Sequence, residues 1–244
     1  MPFSRIVIFD TETTDMDPEN GAELCEIGYT ELLCDGTEWQ FGAGAWTYVE
    51  TQAAFSPAAR AVHHIDPASC LPGAPNCVSR DLAIRQLMIM RSDSTLWAAH
   101  NAPFDLGFVP ELKGDAVLDT LQMARHIWPD APKHGNQVLR YYLGSEPPVE
   151  YTAGLDPHRS QYDAAVTAAF LREALERHSP EELLRLSKQP LLLKTVSFGK
   201  HKDQPWSAVP RDYLAFLARG DMYRDDANIR HTVDHYLNRP RLLA

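Results

Sequence analysis

The chain has 244 residues, of which 44% are hydrophobic and 23% are charged, and its formal net charge is −10 at pH 7. These values are ordinary for a globular protein with one large domain, alone or followed by a small addition. No run approaches the ~20 apolar residues of a membrane-spanning helix, and the N-terminus lacks the pattern of a signal peptide, so we expect a cytoplasmic protein without a membrane partner.

Strand patterns dominate the start of the chain, and short strands alternate with helices after it. Strands are predicted over 5–10, 23–33, 38–49, 95–99 and 116–118, and helices over 57–64, 78–91, 103–112, 119–127, 136–143 and 159–177. Short loops separate the first three strands, which favours antiparallel pairing, whereas the later alternation with helices favours parallel strands. The pattern predicts the α/β class with a mixed sheet.

Acidic and basic residues are unevenly distributed along the chain. Residues 185–244 contain 11 Lys and Arg against 6 Asp and Glu, whereas the first 184 residues contain 12 against 27. This distribution is compatible with an acidic body that binds cations and a basic segment that contacts phosphate. The alternative is that the basic residues form an ordinary solvated surface. The four cysteines lack CxxC spacing, which indicates reduced thiols.

A change in composition near 185–193 predicts a domain boundary. We expect one domain over 1–184 and a small basic C-terminal module over 190–244. Lys200, Lys202 and Arg211 of this module are candidates for phosphate contacts. Its apolar residues either form a small core or, in the case of Trp206 and Tyr213, stack on bases; they are Trp206, Tyr213, Leu214 and Leu217.

Two carboxylates, Asp10 and Glu12, follow the apolar run Ile6–Phe9. Residues two apart in a strand point to the same face, so these two acids are neighbours at the end of a buried strand. Two like charges next to a low-dielectric interior repel each other unless a cation lies between them. The pair therefore indicates a cationic partner.

Similar polar positions occur at three later points in the chain. His100 and Asn101 follow a short apolar strand, and Asp105 follows in the first turn of a helix that Pro103 can begin. Asp105 also suits a helix N-terminus without any further function. Asp119 is a candidate helix N-cap.

His158 and Asp163 are the last of these positions. They can cooperate only if His158 lies in the loop before a helix and Asp163 lies within its first turns, because five residues along one helix face different ways. Pro157 favours such a loop. The alternative is that His158 is incidental.

Taken together, these residues indicate phosphodiester hydrolysis. Four carboxylates without a thiolate or histidine cluster suit Mg²⁺ or Mn²⁺ and not zinc. Two such ions clamp the attacking and leaving oxygens of a phosphoryl displacement, and a nearby histidine can take the proton of the attacking water. The carboxylates in question are Asp10, Glu12, Asp105 and Asp163, and the histidine is His158.

The segments FDTETT, HNAPFD and HRSQYDA resemble, in this order, the three motifs of the DEDDh (DnaQ-like) 3′–5′ exonucleases, and the resemblance covers about residues 5–178. It implies an α/β, ribonuclease H-like fold with a mixed five-stranded sheet and helices on both faces. It further implies that the four carboxylates bind two Mg²⁺ ions, for which Mn²⁺ can substitute, and that His158 is the general base.

The resemblance also implies residues that bind substrate: Thr11, Thr13, Met16, His63, Ile65, Asn101 and Phe104. Thr13 is expected against the terminal nucleotide, and His63 and Ile65 resemble the family's HxI segment. Asp66 stands where the family often has Thr, and Asp15 stands where it usually has Gly. Met16 is a candidate wedge against a duplex end, unless it packs within its loop.

The C-terminal segment VSFGKHKDQPWSAVPRDYLAFL resembles the tail of the exonuclease X-like group of this family, with Asp203 in place of a usual Gly. The expected function is removal of nucleotides from DNA with a 3′ end, single-stranded or at a duplex terminus, releasing nucleoside 5′-monophosphates in DNA repair. The alternatives are RNA 3′-end trimming and a proofreading subunit bound to a DNA polymerase. A homodimer is a further expectation.

Overall fold

The structure is a computed structural model that describes residues 3–238. The chain forms two units, Met1–Lys188 and Gln189–Ala244. The last residues of the predicted C-terminal module, 239–244, lie outside the described residues. Among the helices of the described part, none is long and apolar enough to span a membrane.

The first unit contains a six-stranded sheet with the order β4-β3-β2-β1-β5-β6. Its strands are β1 (Arg5–Thr13), β2 (Leu24–Cys34), β3 (Trp39–Val49), β4 (Cys77–Val78), β5 (Thr95–Ala99) and β6 (Val117–Asp119). Strands β1 to β3 pair antiparallel, and β4, β5 and β6 pair parallel with their neighbours. The predicted α/β class and mixed sheet are confirmed. The sheet has six strands instead of the predicted five because β4, at two residues, is too short to give a periodic signal.

The described residues contain ten α-helices, seven in the first unit and three in the second. They are α1 (Pro57–His63), α2 (Arg80–Met88), α3 (Ala102–Phe108), α4 (Thr120–Ile127), α5 (Asn136–Leu143), α6 (Ser160–Leu175), α7 (Pro180–Ser187), α8 (Arg211–Leu217), α9 (Asp221–Asp225) and α10 (Ala227–Leu237). The predicted helix 103–112 divides at Val109, because Pro110 lacks the N–H that would continue it and disfavours helix in the residue before it.

Strand β1 buries both of its faces, and helices cover both sides of the sheet. Ile6 and Ile8 pack on one face, in a core that α4, α6 and α7 complete. Val7 and Phe9 pack on the other, with Trp97 of β5 and residues of α2 and α3. Successive side chains of a strand alternate between faces, so Asp10 and Glu12 share the face of Ile6 and Ile8 and point toward α6.

The two neighbours of β1 end at different points. Strand β5 pairs with β1 only over Arg5–Ile8, whereas β2 pairs with it as far as Thr13. The sequence predicted an end of β1 at residue 10; the strand continues because β2 still supplies hydrogen-bond partners. Residues Asp10–Thr13 therefore lie beyond the end of β5, which leaves open space beside them.

Helix α6 lies very close to β2 at Gly28. A Cβ atom at this position would lie 2.4 Å from the backbone nitrogen of Gln161 and 2.7 Å from Oγ of Ser160. The absence of a side chain at Gly28 thus permits the N-terminus of α6 to approach the sheet. Gly28 pairs with Asp10 across the β1–β2 ladder, so the close approach occurs beside the acidic residues.

The second unit has its own small core. This core contains Val196, Trp206, Val209, Leu214, Leu217, Ile229 and Val233, with Tyr213 packed against it. Trp206 is 1% exposed, so the core interpretation holds for Trp206 and the base-stacking interpretation is wrong for that residue. Lys200 and Lys202 are exposed on or directly after a short 3-10 helix, Gly199–His201.

Candidate active site

Three of the four predicted carboxylates meet in one place. Asp10, Glu12 and Asp163 each present an oxygen atom, and these oxygens lie within 4.8 Å of one another. Asp10 and Glu12 come from the same face of β1, and Asp163 comes from the first turn of α6. The close packing of α6 on Gly28 is what brings the third carboxylate to the first two.

Asp105, the fourth predicted carboxylate, lies next to this group. It is 2% exposed in the first turn of α3, and its Oδ1 accepts a hydrogen bond of 2.7 Å from the hydroxyl of Thr11. Thr11 lies between Asp10 and Glu12 and faces the opposite side of β1. Asp119 is the N-cap of α4, as predicted, and its Oδ1 accepts hydrogen bonds from the backbone N–H groups of Leu121 and Gln122.

His158 lies in the loop immediately before α6, where the sequence required it. Its backbone is left-handed, with φ at 65°, and its backbone N–H donates a 2.8 Å hydrogen bond to Oδ2 of Asp163. Its side chain is exposed and lies at the same cleft as the carboxylates. A histidine in this position can exchange protons with solvent and with a molecule in the cleft.

The cleft has a volume of about 400 Å³. It is lined by Asp10, Thr11, Glu12, His100, Phe104, Asp105, Gly135, Asn136, Gln137, Val138, His158 and Asp163. One wall is thus the first turn of α5, and the floor is the end of β1. Sequence reasoning missed the α5 wall, which lies in a segment without any charged residue between 134 and 139.

Burial raises the pKa of every carboxylate in this group, and the charges of neighbouring carboxylates raise the pKa of Asp10 and Glu12 further. The pKa of Glu12 rises to about 9, first because of burial and then because of the charges of Asp163 and Glu26. Burial raises the pKa of Asp105 to about 7. The pKa values of Asp10 and Asp163 are also raised, chiefly by burial. A cation would relieve this repulsion, and an all-carboxylate donor set suits a hard divalent ion.

Glu26 and Arg159 are the second feature that sequence reasoning missed. Glu26 is 0% exposed, lies opposite Glu12 in the β1–β2 ladder and forms an ion pair with Arg159. The signal was present in the sequence: Glu26 is a charged residue at a core-facing position of a strand. Arg159 directly follows His158.

The predicted substrate-binding residues divide between the cleft and its surroundings. Thr11 and Phe104 line the cleft. Thr13 is buried, and its hydroxyl donates a 2.7 Å hydrogen bond to the carbonyl of Asp15. Met16 is 70% exposed, which excludes the alternative of packing within its loop. Asn101 is exposed and left-handed, with φ at 74°.

His63 and Ile65 are buried instead of lying open to a ligand. Nε2 of His63 lies 3.3 Å from the carbonyl oxygen of Thr13, and its Nδ1 accepts a hydrogen bond of 2.9 Å from the N–H of Ile65. Burial lowers the pKa of His63, which favours the neutral form of the ring. In this structure the ring of His63 supports the backbone of Thr13, and the N–H of Ile65 orients that ring.

Comparison with known proteins assigns this architecture to a class. The exonuclease family model (RNase_T) matches residues 7–171, which include all five predicted catalytic residues. A mixed sheet with carboxylates gathered beside its central strand is the fold of ribonuclease H-like nucleases.

Individual relatives agree with the family match. Exodeoxyribonuclease 10 of Escherichia coli (strain K12) is 31% identical over 187 residues, which cover 75% of this chain and 79% of that protein. The PolC-type DNA polymerase III of Streptococcus pyogenes (serotype M5, strain Manfredo) is 28% identical over 195 residues, which cover 74% of this chain but 12% of the polymerase.

Solved structures show the same fold. Exonuclease X in complex with 5′ overhanging duplex DNA has a TM-score of 0.59 and 25% identity, covering 75% of this chain and 99% of that chain. Escherichia coli exonuclease I in complex with a dT13 oligonucleotide has a TM-score of 0.56 and 14% identity, covering 71% of this chain and 41% of that chain. The chain therefore belongs to the exonuclease family, as a DnaQ-like 3′–5′ exonuclease of the DEDDh type.

Proposed function

We propose that the protein is a Mg²⁺-dependent 3′–5′ exonuclease that hydrolyses DNA and releases nucleoside 5′-monophosphates. The observation that carries the proposal is the group of three carboxylate oxygens within 4.8 Å, contributed by Asp10, Glu12 and Asp163. Asp105 and His158 lie at the same cleft.

Asp10, Glu12, Asp105 and Asp163 would hold two Mg²⁺ ions, with Mn²⁺ as a substitute. Their fit to such ions follows from the donor set, since all four are carboxylates with pKa values raised by burial. When bound, the ions supply charge stabilisation to the attacking and leaving oxygens of an in-line displacement at phosphorus.

The chain's own residues transfer the proton, orient the reacting groups and contact the substrate. An imidazole nitrogen of His158 accepts the proton of the attacking water and returns it to solvent, for which its exposed position is suited. Asp163 accepts the backbone N–H of His158 and so holds the base beside the reacting group. The hydroxyl of Thr11 orients Asp105. Phe104 offers an aromatic face at the cleft for the terminal base.

DNA is the favoured substrate because of the relatives. The chain covers 79% of exodeoxyribonuclease 10, and the exonuclease X structure to which it is similar holds duplex DNA with a 5′ overhang. A role in DNA repair goes with this substrate. The four cysteines are free, which supports a cytoplasmic location.

A proofreading role with a DNA polymerase is the second candidate. The observation in its favour is the match to 12% of the PolC-type polymerase, because a nuclease segment within a polymerase removes misincorporated nucleotides. Co-purification with a polymerase distinguishes this role from that of a free-standing nuclease.

The substitution Asp10→Asn tests the proposal. The substrates are 5′-labelled single-stranded, recessed, nicked and mismatched DNA together with a matched RNA strand. The wild-type protein should shorten DNA from the 3′ end only with Mg²⁺ or Mn²⁺, and the variant should lose this activity. The control variant is Asp115→Asn, at a surface ion pair with Arg91. Full activity of Asp10→Asn, or a large preference for RNA, would contradict the proposal.

We propose further that residues 190–244 form a module that contributes phosphate contacts through Lys200 and Lys202. Both lysines are exposed, which the contact requires. Arg211, the third candidate, begins α8.

A further inference from the structure

Glu26 is a fully buried carboxylate whose hydrogen-bonding capacity is saturated. Its Oε1 accepts the backbone N–H of Ser160 at 2.8 Å and the Ser160 hydroxyl at 2.7 Å. Its Oε2 accepts Nε–H of Arg159 at 2.9 Å and a second N–H of the same guanidinium. A carboxylate offers about four such positions, so every one of them is used on two consecutive residues of the chain.

These hydrogen bonds cap the N-terminus of α6 from outside the helix. Arg159 is the N-cap residue of the helix, and its own side chain makes no capping hydrogen bond. The free N–H groups of a helix start need acceptors, and a side chain at the N-cap normally supplies one. Here Glu26 supplies it from β2, so the start of α6 is fixed to the sheet instead of being closed locally.

Arg159 is itself held from a third element. Its guanidinium lies over the rings of Trp46 and Tyr48, at 4.8 Å and 5.3 Å from their centroids, and donates a 3.1 Å hydrogen bond to the Tyr48 hydroxyl. Both aromatic residues belong to β3. The pair Glu26–Arg159 thus joins α6 to two adjacent strands, with planar geometry that a lysine could not reproduce.

The two residues that Glu26 holds stand between the proposed base and a proposed metal ligand. His158 precedes Arg159 directly, and Asp163 follows Ser160 by three positions on the same helix. The left-handed backbone of His158 is strained for a residue other than glycine and requires support from its surroundings. Asp163 supports it from one side, and Glu26 supports the following residues from the other.

We propose that Glu26 and Arg159 are positioning residues that fix His158 and Asp163 at the distances the hydrolysis requires. The inference rests on the proposed function, because it assigns these two residues to the same site. Neither residue lines the cleft, so the pair acts through the segment 158–163 and does not touch substrate.

A purely electrostatic role of Glu26 and Arg159 predicts a different effect of their substitution than a positioning role does. Glu26→Gln makes the site less negative, whereas Arg159→Lys keeps the positive charge, so an electrostatic role would change metal affinity in the first variant and leave it unchanged in the second. A positioning role lowers kcat at saturating metal in both cases, because both changes release the same segment.

The experiment compares Glu26→Gln and Arg159→Lys in the full chain. Both variants should lower kcat on a 5′-labelled oligonucleotide at saturating Mg²⁺ by about 10- to 100-fold, the usual effect of losing support behind a ligand. The KM for the oligonucleotide should change by less than about threefold, since the change lies outside the cleft. Two matched controls should stay within about twofold of wild type: Glu31→Gln, a buried ion-paired glutamate on the same strand, and Arg172→Lys, which stacks on Phe41 from the same helix.

A second readout does not depend on activity. In the metal-free protein, hydrogen exchange at the amides of His158 and Ser160 should accelerate about tenfold or more in both variants and stay unchanged in the controls. The double variant should lose little more than either single one, because the two residues act as a unit. If Glu26→Gln does not fold, the same measurements are made on Arg159→Lys and Tyr48→Phe. The loss of kcat should be smaller in Tyr48→Phe, which removes one hydrogen bond to Arg159.

Wild-type kcat and wild-type exchange rates in both folded variants would overturn the proposal. Its failure is distinguishable from failure of the proposed function. If the wild-type protein does not degrade DNA, the exchange experiment still decides whether the pair holds 158–163. If the wild type is active and Asp10→Asn is not, but the Glu26 and Arg159 variants equal the wild type, only the positioning inference fails.

Discussion

The two units of the chain differ in whether they bury charged side chains. The first unit buries Glu26, Glu31, Asp105 and Asp163, whereas among residues 189–238 every Asp, Glu, Lys and Arg is at least partly exposed. The interior of the second unit consists of apolar side chains around Trp206.

The difference shows which unit contains buried groups that lower the stability of the fold. A group of buried acids costs free energy and persists in a fold only when the rest of the structure outweighs that cost, which is typical of a functional site. The second unit carries no such cost among its described residues, and its packing is that of a small structural core. We therefore expect substitutions to affect catalysis in the first unit and chiefly folding or affinity in the second.

The largest expected effect is that of Asp163→Asn on catalysis. Asp163 is a metal ligand in the proposed function, and loss of its charge should lower kcat about 10³-fold, since charge stabilisation of several kcal/mol is removed and each 1.36 kcal/mol is tenfold in rate. The asparagine can still accept the N–H of His158, so the fold should persist. Without metal, the variant should unfold at the same or a higher temperature than the wild type, because a repelled buried charge is gone.

The measurements for this variant are kcat at saturating Mg²⁺ and thermal unfolding in a chelator. Asp225→Asn, at an exposed position of the second unit, is the control and should match the wild type in both. Activity of Asp163→Asn within tenfold of wild type would remove Asp163 from the site.

In the second unit, Trp206→Ala should destabilise the core by about 3–5 kcal/mol, as large-to-small substitutions of buried aromatic residues do. Trp206→Phe should cost much less, because the indole N–H of Trp206 is buried without a hydrogen-bond partner and its removal leaves nothing unpaired. Calorimetry of the full chain checks both variants. Equal losses of stability in the two variants would contradict this expectation, because phenylalanine fills most of the space that alanine leaves empty.

A smaller effect is expected from pH and metal together. The pKa of Glu12 is raised to about 9 and that of Asp105 to about 7, so between pH 4.5 and 9 the metal-free folded state binds more protons than the unfolded state. Its free energy of unfolding therefore falls as pH rises through this range. In the proposed function Mg²⁺ binds the deprotonated carboxylates, so the increase in Tm on adding Mg²⁺ should be larger at pH 8.5 than at pH 5.5.

Thermal unfolding with Mg²⁺ and with a chelator at these two pH values tests the sign. In Glu12→Gln the pH dependence of the metal-free protein should be weaker than in the wild type. A Mg²⁺ stabilisation that shrinks with rising pH would contradict the raised pKa values as a source of the effect.

The smallest effect is expected at the surface of the second unit. The double variant Lys200→Ala, Lys202→Ala should bind single-stranded DNA with a salt dependence whose slope is lower by about 1.4, at ~0.7 for each lost phosphate contact. Lys113→Ala, an exposed lysine of the first unit, is the control. An unchanged slope in the double variant would contradict phosphate contacts through Lys200 and Lys202.

The sequence predicted the parts of the site that its local patterns specify. Asp10 and Glu12 directly follow an apolar run within one strand, Asp105 and Asp163 lie in the first turn of a helix, and such positions can be recognised from short segments. Glu26 and Arg159 could not be paired in this way, because they are 133 residues apart and meet only when β2 and α6 pack.

Lengths of elements were predicted less well than their types. The end of β1 depends on how far β2 accompanies it, and β4 exists only because β3 offers an edge at Tyr48 and Val49. Both depend on pairing with another strand, which the local pattern of apolar residues does not reveal. The burial of His63 is of the same kind, since its partner is the carbonyl of Thr13, 50 positions earlier.

Gly28 has a consequence for the spacing of the three carboxylates of the site. The distance between Asp163 on α6 and the acids on β1 depends on how closely the helix lies against this residue, since a Cβ atom there would come within 2.4 Å of the helix backbone. A side chain at position 28 would therefore have to move the helix outward, and Asp163 would move away from Asp10 and Glu12 with it. The absence of a single methyl group from β2 thus helps to set the size of the carboxylate group.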